Sequence, residues 1–152
     1  MVKIQDTGLN AEIRIRAIEL IGSTLNTPNN LYGQELKYEV NIQIDTKGDV
    51  DQKVLFTVVT VKIENEDHSL LYGSVSVSSV FEVINFEEVV KLEKDGTMNV
   101  NPKLVETLNI ISLGNTRGVM FSTFRGTFLH NVVLPLVDPR QIPNEKVKKA
   151  KS

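Results

Sequence analysis

Glu64, Glu66, Asp67 and His68 place three carboxylates and an imidazole within five residues, and these are the side-chain types that hold a divalent cation. Their spacing matches no established cation loop, in which oxygen ligands recur at alternate positions around a glycine. A solvated turn is therefore favoured over a metal site. His130, between Leu129 and Asn131, has no nucleophile and orienting carboxylate arranged around it, and reads as an ordinary loop residue. Arg117 and Arg125 flank Gly118 and Gly126 in a way that suggests anion binding. Both fall late in a helix, however, where a cation complements the dipole, whereas a phosphate favours the opposite end. Cysteine is absent, which removes disulfides, thiolate ligands and thiol nucleophiles together. No catalytic constellation emerges, and the chain is expected to be neither an enzyme nor a carrier of metal or cofactor.

Composition points the same way. A chain of 152 residues suits one domain, and 41% hydrophobic with 24% charged residues is ordinary for a soluble globular protein. A net charge of −2 gives no field to hold a polyanion, so nucleic acid is not expected as a partner. The one basic cluster is Lys146, Lys148, Lys149 and Lys151, in a tail spanning 143–152 that is expected to be disordered beyond a single domain of 1–142. Lys3, Gln5 and Asp6 stand where a signal peptide needs an apolar core, and no apolar run nears the ~20 residues of a membrane span. The cytoplasm is the expected compartment.

The elements that must position any functional group are read from hydrophobic periodicity. In 35–45, Leu36, Tyr38, Val40, Ile42 and Ile44 alternate with polar residues, as in a strand with one buried face. In 11–21, Ile13, Ile15 and Ala17 alternate with Glu12, Arg14 and Arg16 before the phase changes at Ile18 and Leu20, which predicts a bulge. Residues 54–63 are nearly all apolar and rich in valine, which predicts a central strand covered on both faces. A turn at 65–68 leads to 70–83, where Val75, Val77, Phe81 and Val83 oppose Tyr72, Ser74, Ser76 and Ser78, completing a hairpin. Residues 22–34 read as a long loop, and 86–100 as either a short helix or another strand before Asp95-Gly96 breaks it. Strands first and a helix afterwards give an α+β fold: a four-stranded antiparallel sheet followed by one long helix.

Asn101-Pro102 supplies the helix start and Gly126 its stop, for about six or seven turns. Ile110, Leu113, Met120, Phe121 and Phe124 fall on one side, with Leu104, Leu108, Ile111 and Val119 roughly opposite. Gly114, Gly118, Ser122 and Gly126 form a ridge of small residues along the second side, which permits close approach of another element. Residues 107–115 carry no charge, so the helix lacks the solvated face of a surface helix. One sheet can cover only one side. The other is expected to meet a second copy of the chain in a symmetric oligomer, with Gly114, Gly118, Ser122, Leu108 and Ile111 in the interface. The competing reading is that 86–100 or the C-terminal segment folds over the helix within a monomer.

The order of four antiparallel strands, crossover and long helix, with the ending Arg125-Gly126-Thr127-Phe128 and Pro135 seven residues later, resembles the SecB family of protein-holding chaperones. The longer stretch from Thr116-Arg117-Gly118 through Leu134-Pro135-Leu136-Val137-Asp138-Pro139 is similar to divergent SecB-like proteins. The resemblance implies a homotetramer, a dimer of dimers with helices in the interface. It would hold unfolded polypeptides or preproteins in the cytoplasm without ATP, for protein export or to protect an aggregation-prone antitoxin. Client-binding candidates are Tyr72, Phe81, Phe86, Phe121, Phe124 and Phe128, since aromatic rings give large, tolerant contact areas. Most are expected in the core, with Phe86 the foremost groove residue by family analogy. Ser74 stands where the family presents a glutamate that helps dock the motor SecA. Pro139, Pro143 and the lysines replace a second amphipathic helix and an acidic tail. Both departures count against SecA as a partner. The alternative is a SecB-fold module that binds a single protein partner or small ligand and has no general chaperone activity.

Overall fold

In the computed structural model, which describes residues 1–6, 9–29, 31, 33–141 and 147–150, the alternating segments become four long strands. These are β2 (Leu9–Leu25), β3 (Glu39–Asp49), β4 (Val54–Glu64) and β5 (Leu71–Val83), preceded by a short β1 (Val2–Asp6). A four-residue helix α1 (Phe86–Val89), strands β6 (Val90–Leu92) and β7 (Thr97–Val100), the long helix α2 (Pro102–Thr123) and a final β8 (Val147–Lys149) follow. The sheet has eight strands in the order β1-β2-β5-β4-β3-β8-β7-β6, rather than the four expected. The four long strands are its antiparallel centre. The added strands have only three to five residues each, too few to show a period. Segment 86–100 contains both structures considered for it, a helical turn and then a hairpin closed at Gly96 with φ +82°. Of the tail expected to be disordered, Val147–Lys149 form a strand between β3 and β7; residues 143–146 and 151–152 lie outside the described residues.

The bulge expected in the first long strand falls between Ile15 and Ala17, where the register with β5 shifts. A second shift, which the alternation did not announce, falls between Leu20 and Gly22. Together they keep Ile13, Ile15, Ile18, Leu20 and Leu25 opposite Val83, Phe81, Ser79, Val77 and Gly73, residues that share one face of β5. That face carries α2, since Asn115 of the helix donates to Ser79 Oγ at 3.1 Å. The central strand β4 places Leu55, Thr57, Val59, Val61 and Ile63 on the same face, all fully buried.

Helix α2 begins as expected, with the Asn101 side chain accepting from the Lys103 N–H at 3.0 Å and proline in the first turn. Its two apolar sides resolve differently. Leu104, Leu108, Leu113, Met120 and Phe124, assigned to both sides, are all buried, whereas Ile110 and Phe121 face outward at 52% and 57% exposure. The arc against the sheet is wider than either expected stripe, and polar Asn109, Ser112 and Thr116 fill its middle.

Those polar residues divide the interior. One apolar cluster joins Leu9, Ala11 and Ile13 to Leu55, Phe81, Leu104, Leu108 and Val147. The other joins Val59, Val61, Ile63 and Val75 to Leu113, Met120, Phe124, Leu129 and Leu134. Between them along β4 and α2 lie Thr57, Asn109 and Ser112, whose Oγ1, Oδ1 and Oγ atoms are buried without a partner among the described residues. A buried orphaned hydroxyl costs about 1–3 kcal/mol. Replacing Thr57 by the near-isosteric valine is therefore expected to stabilise the fold by about 1 kcal/mol, read as a higher urea midpoint at unchanged m-value.

Candidate functional site

The two bulges of β2 and the small-residue ridge of α2 build one groove. Ile15, Ile18 and Leu20 lie on the face that carries the helix, yet they are 46%, 45% and 47% exposed. Across from Ile18 and Leu20 the helix presents Gly114, Gly118 and Ser122, themselves exposed and too small to cover them. A Cβ built on Gly114 or Gly118 meets nothing within 4 Å. The resulting groove, about 560 Å³, runs between Ile18 and Leu20 on one wall and Gly114, Gly118, Val119 and Ser122 on the other. Its strand wall also has a free edge. Strand β1 pairs only as far as Ile13, so from Arg14 to Leu25 the outer edge of β2 has no strand partner among the described residues. An open edge beside apolar side chains is a template for another extended chain.

Of the expected client-binding aromatics, Phe81, Phe86 and Phe124 are core residues, 0%, 2% and 3% exposed. Phe86 is therefore not at a groove: it starts α1, which packs back on β2, and its ring joins the first apolar cluster. Tyr72 and Phe128 are brought together edge to face, with ring centroids 6.1 Å apart, half-buried at the rim of the second cluster. Phe121 stands on the outer face of α2 near the His130 ring. Among the expected interface residues, Gly114, Gly118 and Ser122 are open to solvent and Ile111 is half-buried. Leu108 is fully buried against the sheet of its own chain and offers no surface to a second copy. Sequence reasoning missed Ile15, Ile18 and Leu20. Their phase change signalled the bulge, but nothing in it signalled that the helix would leave them uncovered.

The residues with chemical potential are otherwise engaged. His68 Nδ1 lies within hydrogen-bond distance of Glu64 Oε2 at 2.9 Å and Nε2 lies 3.1 Å from Glu39 Oε2, so both ring nitrogens face carboxylates. No group of three or more His, Asp or Glu side chains among the described residues is placed to hold a metal ion. The Glu64 hydrogen bond, with the charges of Glu39, Glu64 and Asp67, raises the His68 pKa above 6.5. A raised folded-state pKa contributes stability that is fully present below 6.5 and lost as pH rises through the raised value. Against a His68→Asn control, which tolerates the φ of +59°, the wild type is expected to hold a small advantage in Tm at about pH 5.5 that shrinks as the pH is raised past 6.5 into the alkaline range. Thermal melts across that range read it directly.

Arg117 donates to the carbonyls of Leu134 and Pro135 at 3.2 and 3.4 Å, tying the segment after α2 back onto the helix. His130 Nδ1 accepts from the Gly126 N–H at 3.3 Å. Ser74 lies on the sheet face away from α2, its hydroxyl 2.7 Å from that of Thr24, and Ser76 pairs likewise with Thr60 at 3.0 Å. No helix among the described residues is long and apolar enough to cross a membrane.

The architecture, a mainly antiparallel sheet with the long helix laid across one face, is SecB-like in fold. No protein-family model matches the sequence, and no curated protein does. Among solved structures the fold is similar to that of the Mycobacterium tuberculosis SecB-like chaperone Rv1957, determined in complex with a ChAD peptide from the HigA1 antitoxin. The match has a TM-score of 0.52 at 11% identity and covers 82% of this chain and 90% of that one. At that identity the likeness is one of fold.

Proposed function

We propose that this protein is an ATP-independent holding chaperone that takes extended apolar segments of unfolded polypeptides into the groove between β2 and α2. The observation that carries the reading is the row Ile15, Ile18 and Leu20, left nearly half exposed beside a ridge of glycines and an open strand edge. Isoleucine and leucine side chains favour apolar segments without selecting a sequence, while free backbone groups on β2 pair with any extended chain. Tyr72, Phe121 and Phe128 extend the accessible apolar surface, and the buried Phe81, Phe86 and Phe124 support it from within.

The outer face of α2 beside the groove suits a homotetramer built as a dimer of dimers, in which the exposed Ile110 and Phe121 meet their counterparts and Gly114, Gly118 and Ser122 lie at the border between interface and groove. The antitoxin peptide bound by the similar solved chaperone supports an antitoxin as client over a preprotein handed to SecA. The hydroxyl row of Ser74 and Ser76 in place of an acidic surface supports the same preference. We place the activity in the cytoplasm, in keeping with a cysteine-free chain. A module that binds one partner only is the second reading, favoured by the same antitoxin complex. Dilution of a chemically unfolded reporter protein separates the two. General holding is expected to suppress its aggregation at about stoichiometric ratio without nucleotide, and unchanged light scattering across a wide ratio range rejects it in favour of the single-partner module.

A further inference from the structure

The sheet has a second place built for an extended chain, at the far side from the groove. Strand β8 sits between β3 and β7, parallel to β3 through Lys47 and Gly48 and antiparallel to β7 through Thr97 and Met98. Among the described residues β7 has no other strand neighbour except β6, so the hairpin joins the sheet only through the three residues of β8. The slot is narrow and shaped. A Cβ on Gly48 would lie 2.5 Å from Met98 Sδ and 3.1 Å from Leu55 Cδ2, so the methionine of β7 packs on the bare backbone of β3 and would have to shift to admit a side chain there.

Its present occupant fits poorly. Val147 alone is buried, at 4% exposure, while Lys148 and Lys149 are exposed. Lys148 stands directly opposite Lys47 in the register with β3, and like charges across a ladder repel. Parallel pairing, here only two residues long, is also the weaker kind. A largely apolar cavity of about 620 Å³ opens beside Val147, lined by Met98, Val100, Pro102 and Val105 together with the polar turn 93–97 and Asn99.

We propose that the β3–β7 slot is a strand-acceptor site, and that Val147–Lys149 is a displaceable placeholder in it. The ligand class is an extended segment of another polypeptide with an apolar residue at the Val147 position, followed by an acidic residue that pairs with Lys47. Backbone hydrogen bonds to two strands hold it, and the apolar side chain fixes its register. The site lies apart from the β2–α2 groove, with β5, β4 and β3 between them, and does not depend on holding activity there.

The test compares the full wild-type chain with the full Lys148→Glu chain, which turns the cross-strand repulsion into attraction. Hydrogen exchange at the Ala150 amide, which donates to the Gly48 carbonyl at 2.8 Å, reports opening of the slot. Exchange is expected to slow roughly fivefold in the variant. A labelled synthetic peptide spanning 142–152 and carrying Lys148→Glu is expected to bind the wild type and to bind the variant chain at least tenfold more weakly, because the variant's own tail fills the slot. Equal exchange in the two chains, or equal or absent peptide binding, overturns the proposal. So does a concentration-dependent rise in mass by light scattering that Lys148→Glu increases, since the slot would then take the tail of a second copy. Far-UV circular dichroism of both chains confirms that the folded protein is being compared.

Discussion

Replacing Gly118 by leucine is expected to strengthen the folded chain while disabling it. The position is helical and open, and a Cβ there meets nothing within 4 Å, so a side chain can leave the backbone without a clash. Glycine costs a helix interior about 0.8–1.0 kcal/mol relative to alanine and leucine ranks close to alanine, so stability should rise by about 0.8 kcal/mol. The same side chain projects into the groove against Ile18 and Leu20. Client affinity should fall roughly tenfold or more, a loss of about 1.4 kcal/mol, read by titration of a labelled unfolded peptide. Gly118→Ala should show the gain in stability with a smaller loss of affinity. Light scattering on the same proteins reports assembly: a fall in mass places the ridge in an interface between copies, and an unchanged mass with lost affinity assigns it to client binding alone. A leucine variant that binds peptide like the wild type would remove the groove as the working surface.

Gly73 on β5 should behave in the opposite way. A Cβ there would lie 2.6 Å from Leu129 Cδ1, 3.1 Å from the Thr24 carbonyl oxygen and 3.2 Å from Phe124 Cζ. Leu129 and Phe124 are buried in the second cluster, and the Thr24 oxygen belongs to the neighbouring strand backbone, so little can give way. Gly73→Val is expected to destabilise the chain by about 3 kcal/mol. For a chain of this size that corresponds to a Tm lower by about 10 °C, read by circular dichroism or calorimetry. Tolerance of valine would mean that the segment after α2 does not pack on β5 as described. The two glycines differ in kind: one is required because a side chain has no room, the other because room must be left.

Several features are legible in short stretches of residues. The Asn101-Pro102 start of α2, the bulge between Ile15 and Ala17, and the four long strands follow from local residue types, because capping, alternation and proline act over a few positions. The ending Arg125-Gly126-Thr127-Phe128 also behaves as a local stop. Gly126 takes φ +77° and the Thr127 hydroxyl donates to the Phe124 carbonyl at 2.7 Å. Less visible are the short strands. Val147–Lys149 reads as part of a solvated lysine tail, and only pairing with β3 and β7 makes it a strand. Phe86 illustrates the same limit, since an aromatic in a crossover can face a groove or the core with no change in its neighbours in sequence.

By itself the sequence determined the class of fold, the absence of thiol chemistry, and the existence of a helix with a charge-free stretch and a ridge of small residues. Each of these depends on residue type and spacing along the chain. Only the tertiary structure decided which way that ridge faces, that Leu108 turns inward while Phe121 turns outward, and that Ile15, Ile18 and Leu20 remain uncovered beside it. The physical reason is that burial is a property of pairs of surfaces. A helix wheel gives the relative angles of its residues, but the rotation of the helix on the sheet is set by the summed contacts of both. Here the wide arc from Leu104 to Phe124, polar seam included, outweighed either narrow stripe and left the glycines facing the groove.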